Sequence, residues 1–232
     1  MSTACRLPDG RQVYLSDEAA DRLCCGVIVL DPVTVDGNPG AAEASAALAP
    51  DLVQKYEGML PSAIGGLTEA RNLYKSFGMD PSRHRPSSEA LLRRVLKGKD
   101  LYRISNVVDS CNLASLIMLL PIGMYDLSLV QGDVVLRTGC AGEQYPGIRK
   151  GDVHLEGRLG LFDQTGAFGS PTSDSARTCV TDRTTRILAV IMATGTYDRL
   201  AMEQNLQTFS QIFAQHCAGT EAFRAILNRE EN

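Results

Sequence analysis

The stretch "SNVVDSCNLASLIMLLPIGMYD", residues 105–126, sets two acids and two asparagines into a segment otherwise apolar enough to be core. Burying an unpartnered polar group costs on the order of a few kcal/mol, so Asn106, Asp109, Asn112 and Asp126 each need a role. Part of the answer is local. Asp109 or Ser110 can cap a helix "SCNLASLIMLL" that Pro121 terminates, and Asp126 can tie the turn at "GMYDL" to backbone amides. Asn112, in the first turn, can equally bond a neighbouring strand. Tyr102, Ser105 and Asn106 precede the cap, and loops feeding a rigid helix are where binding and catalytic groups are commonly held.

Outward from this segment the chain alternates between helical and strand-like patterns. "QVYLS" reads as a short strand, "DEAADRL" as a helix opened by Ser16 or Asp17, and "CCGVIVLDPVTV" as a buried strand stopped by the turn Asp36-Gly37-Asn38-Pro39. One or two helices follow in "GAAEASAALAPDLVQKYEGML", and Pro61, Gly65 and Gly66 mark a break. In "PSSEALLRRVLKGK" Ser87 or Ser88 can cap a helix with Leu91, Leu92, Val95 and Leu96 on its apolar face, ended by Gly98. "DVVLRTGC" alternates like an edge strand, whereas "RILAVIMAT" is continuous enough to be central. The last amphipathic helix places Leu200, Leu206, Phe209, Ile212 and Phe213 on one face. Gly219 closes it, and Thr220 starts a short final helix. The expected organisation is a mixed α+β domain over residues 67–195, with packed helices on a mixed sheet. An N-terminal αβ extension (1–66) packs on it and C-terminal helices (196–232) follow.

Composition excludes several function classes. With 44% hydrophobic and 22% charged residues in 232, the chain suits a soluble protein with one large core. No run reaches the roughly 18 apolar residues of a membrane span, and "MSTACRLPDGRQ" lacks the apolar heart of a signal peptide, so no membrane partner and a cytoplasmic location are expected. Seven cysteines, odd in number and without C-x-x-C spacing, read as reduced, packed thiols. Three histidines, far apart in the chain, offer no metal-ligand spacing. Phosphate-loop, nucleophile-elbow and dinucleotide motifs are absent. Neither a metal nor a cofactor is expected.

Charge is unevenly spread. Arg83, Arg85, Arg93, Arg94, Lys97, Lys99 and Arg103 face only Glu89 and Asp100 between residues 83 and 103, a local excess of five positive charges in a chain of net charge −4. Such a cluster is a solvated helix face or a site for phosphates, whose neutralisation releases counterions and adds sequence-independent affinity.

The segment from "RNLYKSFGMDPSRHRPSSEALLRRVLKGKDLYRISN" through "VVDSCNLASLIMLLPIGMYDLSLVQGDVVLRTGCAGEQY", and more weakly "EGRLGLFDQTG" and "SDSARTCVTDRTTRILAVI", resembles the B3/4 domain over residues 67–195. That module edits misacylated tRNA in the β subunit of bacterial phenylalanyl-tRNA synthetase and also occurs as stand-alone proteins. The resemblance implies a mixed α/β fold and hydrolysis of the ester between a wrong amino acid and tRNA. The chain departs from the synthetase module at three positions. Tyr102 stands where the family has an arginine, Gly123 where it has a histidine, and Val190, by approximate register, where it has a glutamate. The stand-alone branch is therefore the better match, and some of its members resemble deacylases of tRNA charged with canavanine, an arginine mimic.

What the resemblance implies for the chemistry is modest in its demands. An aminoacyl ester is already activated, so a deacylase needs a held water, donors for the developing oxyanion, and a pocket that admits only the wrong side chain. Tyr102, Ser105 and Asn106 are the candidate catalytic donors. Gly123 and Tyr125 would shape the pocket. Glu156, Asp163 and Asp174 are candidate pocket acids for a cationic side chain, although Glu156 can instead pair with Arg158, Asp163 can be a turn residue, and Asp174 can cap a loop. The seven cations of residues 83–103 would hold the partner, an aminoacylated tRNA. The alternative is a non-catalytic tRNA or amino-acid binding module on the same fold.

Overall fold

Two nearly uninterrupted apolar runs, Leu23–Leu30 and Ile187–Thr194, pair antiparallel along their whole length. Such runs belong to strands covered on both faces. The computed structural model describes residues 2–148 and 151–229. In chain order the elements are β1 (Ala4–Arg6), β2 (Gln12–Leu15), α1 (Asp17–Ala20), β3 (Leu23–Leu30), α2 (Gly40–Tyr56), α3 (Gly65–Ser76), α4 (Ser87–Val95), α5 (Asn106–Met118) and β4 (Ile122–Asp126). Then come β5 (Val134–Thr138), β6 (Gln144–Pro146), β7 (Asp152–His154), β8 (Leu159–Asp163), β9 (Gly166–Ser170), β10 (Ser173–Asp174), β11 (Ile187–Thr194), α6 (Arg199–Cys217) and β12 (Glu221–Leu227).

The central sheet has the order β12-β3-β11-β4 and the second sheet β1-β2-β5-β8-β9-β10, with β6 and β7 as a separate hairpin. Alternation along β3 divides the core. Cys25, Val27 and Val29 face the second sheet and meet Val13, Leu136 and Leu161, while Cys24, Ile28 and Leu30 face Met202, Leu206 and Phe209 of α6 and Val107 and Leu113 of α5. The architecture is therefore three layers: helices, central sheet, second sheet. A satellite cluster of Leu52, Leu67, Leu92, Val95 and Leu116 joins α2, α3, α4 and α5 beside it.

The mixed α+β class is as expected, but several local expectations are corrected. The chain after Thr220 is strand β12, not a helix, because Phe223–Leu227 pairs with Val29–Cys25 at the edge of the central sheet, and tertiary pairing overrides local preference. The first and last segments are thus not additions: β3 and β12 make half of the central sheet. β5 lies between β2 and β8, so it is not an edge. The N-cap of α4 is Pro86, with no side-chain hydrogen bond, so neither Ser87 nor Ser88 caps it. Leu200 stays exposed on α6, and Met202 takes the buried position. Asp126 does tie its turn, accepting from the Ser128 amide at 2.9 Å and the Thr184 hydroxyl at 2.7 Å.

Candidate functional site

The entry to α5 is built differently from the expectation. Ser105, not Asp109 or Ser110, is the N-cap, accepting from the Val108 amide at 3.4 Å. Asp109 reaches back to the Ile104 amide at 3.1 Å, and burial raises its carboxyl pKa above the ordinary value. Asn106 is buried and saturated. Its Oδ1 accepts from the Asp36 and Val107 amides, both at 2.8 Å, and its Nδ2 donates to the carbonyls of Thr34 at 2.8 Å and His216 at 3.1 Å. An amide side chain has no further capacity, so Asn106 clamps α5 to the β3–α2 loop and the end of α6, and is not free to act on a substrate. Tyr102 points outward and stacks on Arg94, whose guanidinium carbon lies 4.0 Å from the ring centroid. The three proposed catalytic donors therefore do not converge on one cavity.

A second group does converge. Gly123 and Val190 are register partners on β4 and β11, and Asp174 pairs with Gly169 on β9. Tyr125 is fully buried between these strands. A Cβ at Gly123 or at Gly169 would fall on the Tyr125 hydroxyl, so the two glycines exist as room for that ring. Phe168 meets the ring edge-on, with centroids 4.8 Å apart. The room that the missing side chain leaves at Gly123 is thus occupied by Tyr125.

Beside the ring end lies Asp174, half-buried on β10. Burial pushes its carboxyl up to about 7, offset in part by the Tyr125 hydroxyl and the Met124 amide. The Tyr125 hydroxyl meets no partner at full hydrogen-bond geometry, so its coupling to Asp174 is electrostatic proximity more than a formed bond. Burial, and secondarily Asp174, also hold the Cys111 thiol protonated, which removes it as a nucleophile. The other two proposed acids do not join this group. Glu156 is exposed after β7, at an isolated bridge to Gly139. The Asp163 carboxyl is consumed, accepting from the Gln131 and Thr165 amides at 2.8 Å each and from Arg177 at 3.0 Å through both oxygens.

The cationic segment forms a surface of its own on α4 and the loop after it. Glu89, buried, accepts ion pairs from Arg71 at 2.8 Å, Arg93 at 3.4 Å and Arg85 at 3.5 Å. Arg83 sits 3.8 Å from Asp80. Among the described residues, Arg94, Lys97, Lys99 and Arg103 have no carboxylate at ion-pair distance. Arg85, Arg93, Arg94, Lys97 and Lys99 ring one shallow recess of about 310 Å³ over Ala90. Arg71, which completes the Glu89 cluster, falls outside the charge run of residues 83–103 because it lies on α3, close only in space.

The model of the B3/4 domain matches residues 69–215. The chain belongs to the B3/4 domain family. Among solved structures, an N-terminal fragment of the phenylalanyl-tRNA synthetase β subunit from Pyrococcus horikoshii is similar to this B3/4 chain, at a TM-score of 0.48 and 13% identity. The alignment covers 94% of this chain and 54% of the other, so the chain spans about half the length of that structure. No curated protein matches. Every expected site residue, from Arg83 to Asp174, lies inside the B3/4 match. Of the three positions where the chain departs from the synthetase module, Gly123 and Val190 sit side by side in the central sheet, while Tyr102 lies on the cationic surface.

Proposed function

We propose that this B3/4 chain is a trans-acting deacylase that hydrolyses the ester of a mischarged tRNA, with Asp174 at the amino-acid pocket and α4 on the RNA. The carrying observation is that Asp174 alone among the three candidate acids has a carboxyl neither exposed on the surface nor consumed by amides and arginine. A carboxylate in poorly solvated surroundings gains most from a cationic partner, so the favoured noncognate side chain bears a guanidinium-like or ammonium group, and canavanyl-tRNA(Arg) is the first candidate. Tyr125, fixed between Gly123 and Gly169, fills the space at Gly123, where the synthetase module carries an imidazole, and backs Asp174 from the core side. No protein nucleophile is needed, because the ester is activated and a water held at the site, assisted by the neighbouring ribose hydroxyl, suffices. Family membership supports tRNA as the carrier of that ester, as do the four cations of the α4 surface that have no carboxylate partner among the described residues.

Deacylation of canavanyl-tRNA(Arg), arginyl-tRNA(Arg) and tyrosyl-tRNA(Phe) by the purified protein tests this. Release of canavanine without release of arginine or tyrosine is expected, and Asp174→Asn should raise KM without weakening binding of uncharged tRNA(Arg). Saturable tRNA binding with no release from any of the three would replace the hydrolase with a binding module.

A further inference from the structure

Tyr102 is 68% exposed and Ile104, two residues on, 59% exposed. Tyr102 lies next to the cationic recess through its contact with Arg94. The Tyr102 ring is held, not loose. Arg94 covers it at 4.0 Å from guanidinium carbon to centroid, and Arg94 Nη1 donates to the Tyr102 hydroxyl at 3.2 Å. Arg94 is itself fixed through Nε, which donates to the Asp100 carbonyl at 2.5 Å. The same Arg94 lines the recess with Arg93, Lys97 and Lys99. An aromatic–guanidinium pair, preorganised at the rim of a cationic recess, has the two features that a single RNA strand requires: a surface on which a base can stack and charges for the adjoining phosphates. A base inside a duplex presents no free face to such a surface.

We propose that Tyr102 is a stacking platform for an unpaired RNA base, with the neighbouring phosphates in the recess over Ala90. This rests on the RNA reading of the α4 surface and extends it from phosphates to a base. It also moves the role proposed for Tyr102 from its hydroxyl, which accepts from Arg94, to its exposed ring.

Fluorescence anisotropy with two uncharged hairpin RNAs, one blunt and one carrying a single-stranded 3′ overhang, tests the platform. The wild-type protein should prefer the overhang by about tenfold or more. Tyr102→Ala should abolish that preference while leaving blunt-hairpin affinity unchanged, and Tyr102→Phe should keep it. Circular dichroism on each variant verifies the fold. Preference retained in Tyr102→Ala, preference lost equally in Tyr102→Phe, or wild-type binding to neither RNA would each overturn the platform. Because these RNAs carry no aminoacyl ester, the outcome is separate from the hydrolase reading: intact preference without deacylation would remove only the latter.

Discussion

Asp174 carries a conflict that a single substitution exposes. Its folded pKa of about 7 stands above an ordinary 3.8. The folded state therefore keeps a proton that the unfolded chain releases, and stability falls as pH rises from about 4 to about 7. Above that window the full penalty is present. Asp174→Asn should accordingly melt higher than wild type near pH 8, by about 2–4 °C for each kcal/mol relieved, with the difference vanishing near pH 4. An equal gain at both pH values would mean that the effect is not titration. The same change should impair deacylation, the stability–function opposition expected of a site residue. Gly123 is constrained from the other side. A Cβ there meets the Tyr125 ring end, so Gly123→Ala should destabilise by about 1–3 kcal/mol through overpacking, measured by urea unfolding. Sequence marks Asp174 and Gly123 as candidates but does not separate Asp174 from Asp163 or Glu156. That separation depends on which face of a strand each acid occupies and which amides already reach it, and a one-residue change of register reverses the answer. The clamping role of Asn106 is hidden for the same reason: its four bonds go to backbone 70 or more residues away, apart from its own neighbour.

At the scale of an element, α4 combines a structural ion cluster with a free cationic surface, and the two should respond differently to mutation. Glu89 is the shared carboxylate of Arg71, Arg85 and Arg93 and is only 1% exposed. Removing it leaves three guanidinium groups without their counter-charge beside the Leu92 and Val95 packing. Breaking a buried pair in this way costs about 3–5 kcal/mol, an upper figure here because the arginines remain partly in water. Glu89→Gln should lower Tm clearly. Lys97→Glu with Lys99→Glu should leave Tm nearly unchanged, since neither lysine is buried, but weaken tRNA binding. It should also flatten the slope of log affinity against log salt by roughly one for each phosphate no longer neutralised. A double variant with unaltered salt dependence would place the RNA elsewhere. The amphipathic pattern of α4 is legible in the sequence because its periodicity is local. The failure at β12 has the opposite cause: "EAFRAIL" lacks a clean period of two, and only the open edge of β3 makes it a strand.

For the whole molecule, the division into an extension, a core domain and a tail fails as a physical partition. A chain cut to residues 67–195 would keep β4 and β11 of the central sheet and lose β3 and β12. β11 would then expose an edge of eight residues, Ile187–Thr194, that in the intact protein is paired with Leu30–Leu23. The face of β11 that meets the helix layer would also lose Met202, Leu206, Phe209 and Phe213 of α6. Asn106 would lose its hydrogen bonds to Thr34, Asp36 and His216, leaving a buried amide without those partners at the start of α5. Even the piece matched as a B3/4 domain, 69–215, omits β3 and β12. An unpaired, flat, apolar strand is a site of aggregation, not a stable surface. Both fragments should therefore lack a cooperative thermal transition and should aggregate, whereas residues 2–229 should melt in one step. Far-UV circular dichroism melts and amide exchange along Ile187–Thr194 check this. Slow exchange of those amides in the 67–195 fragment would mean that β11 finds its protection without β3, and that the central segment is a domain in its own right.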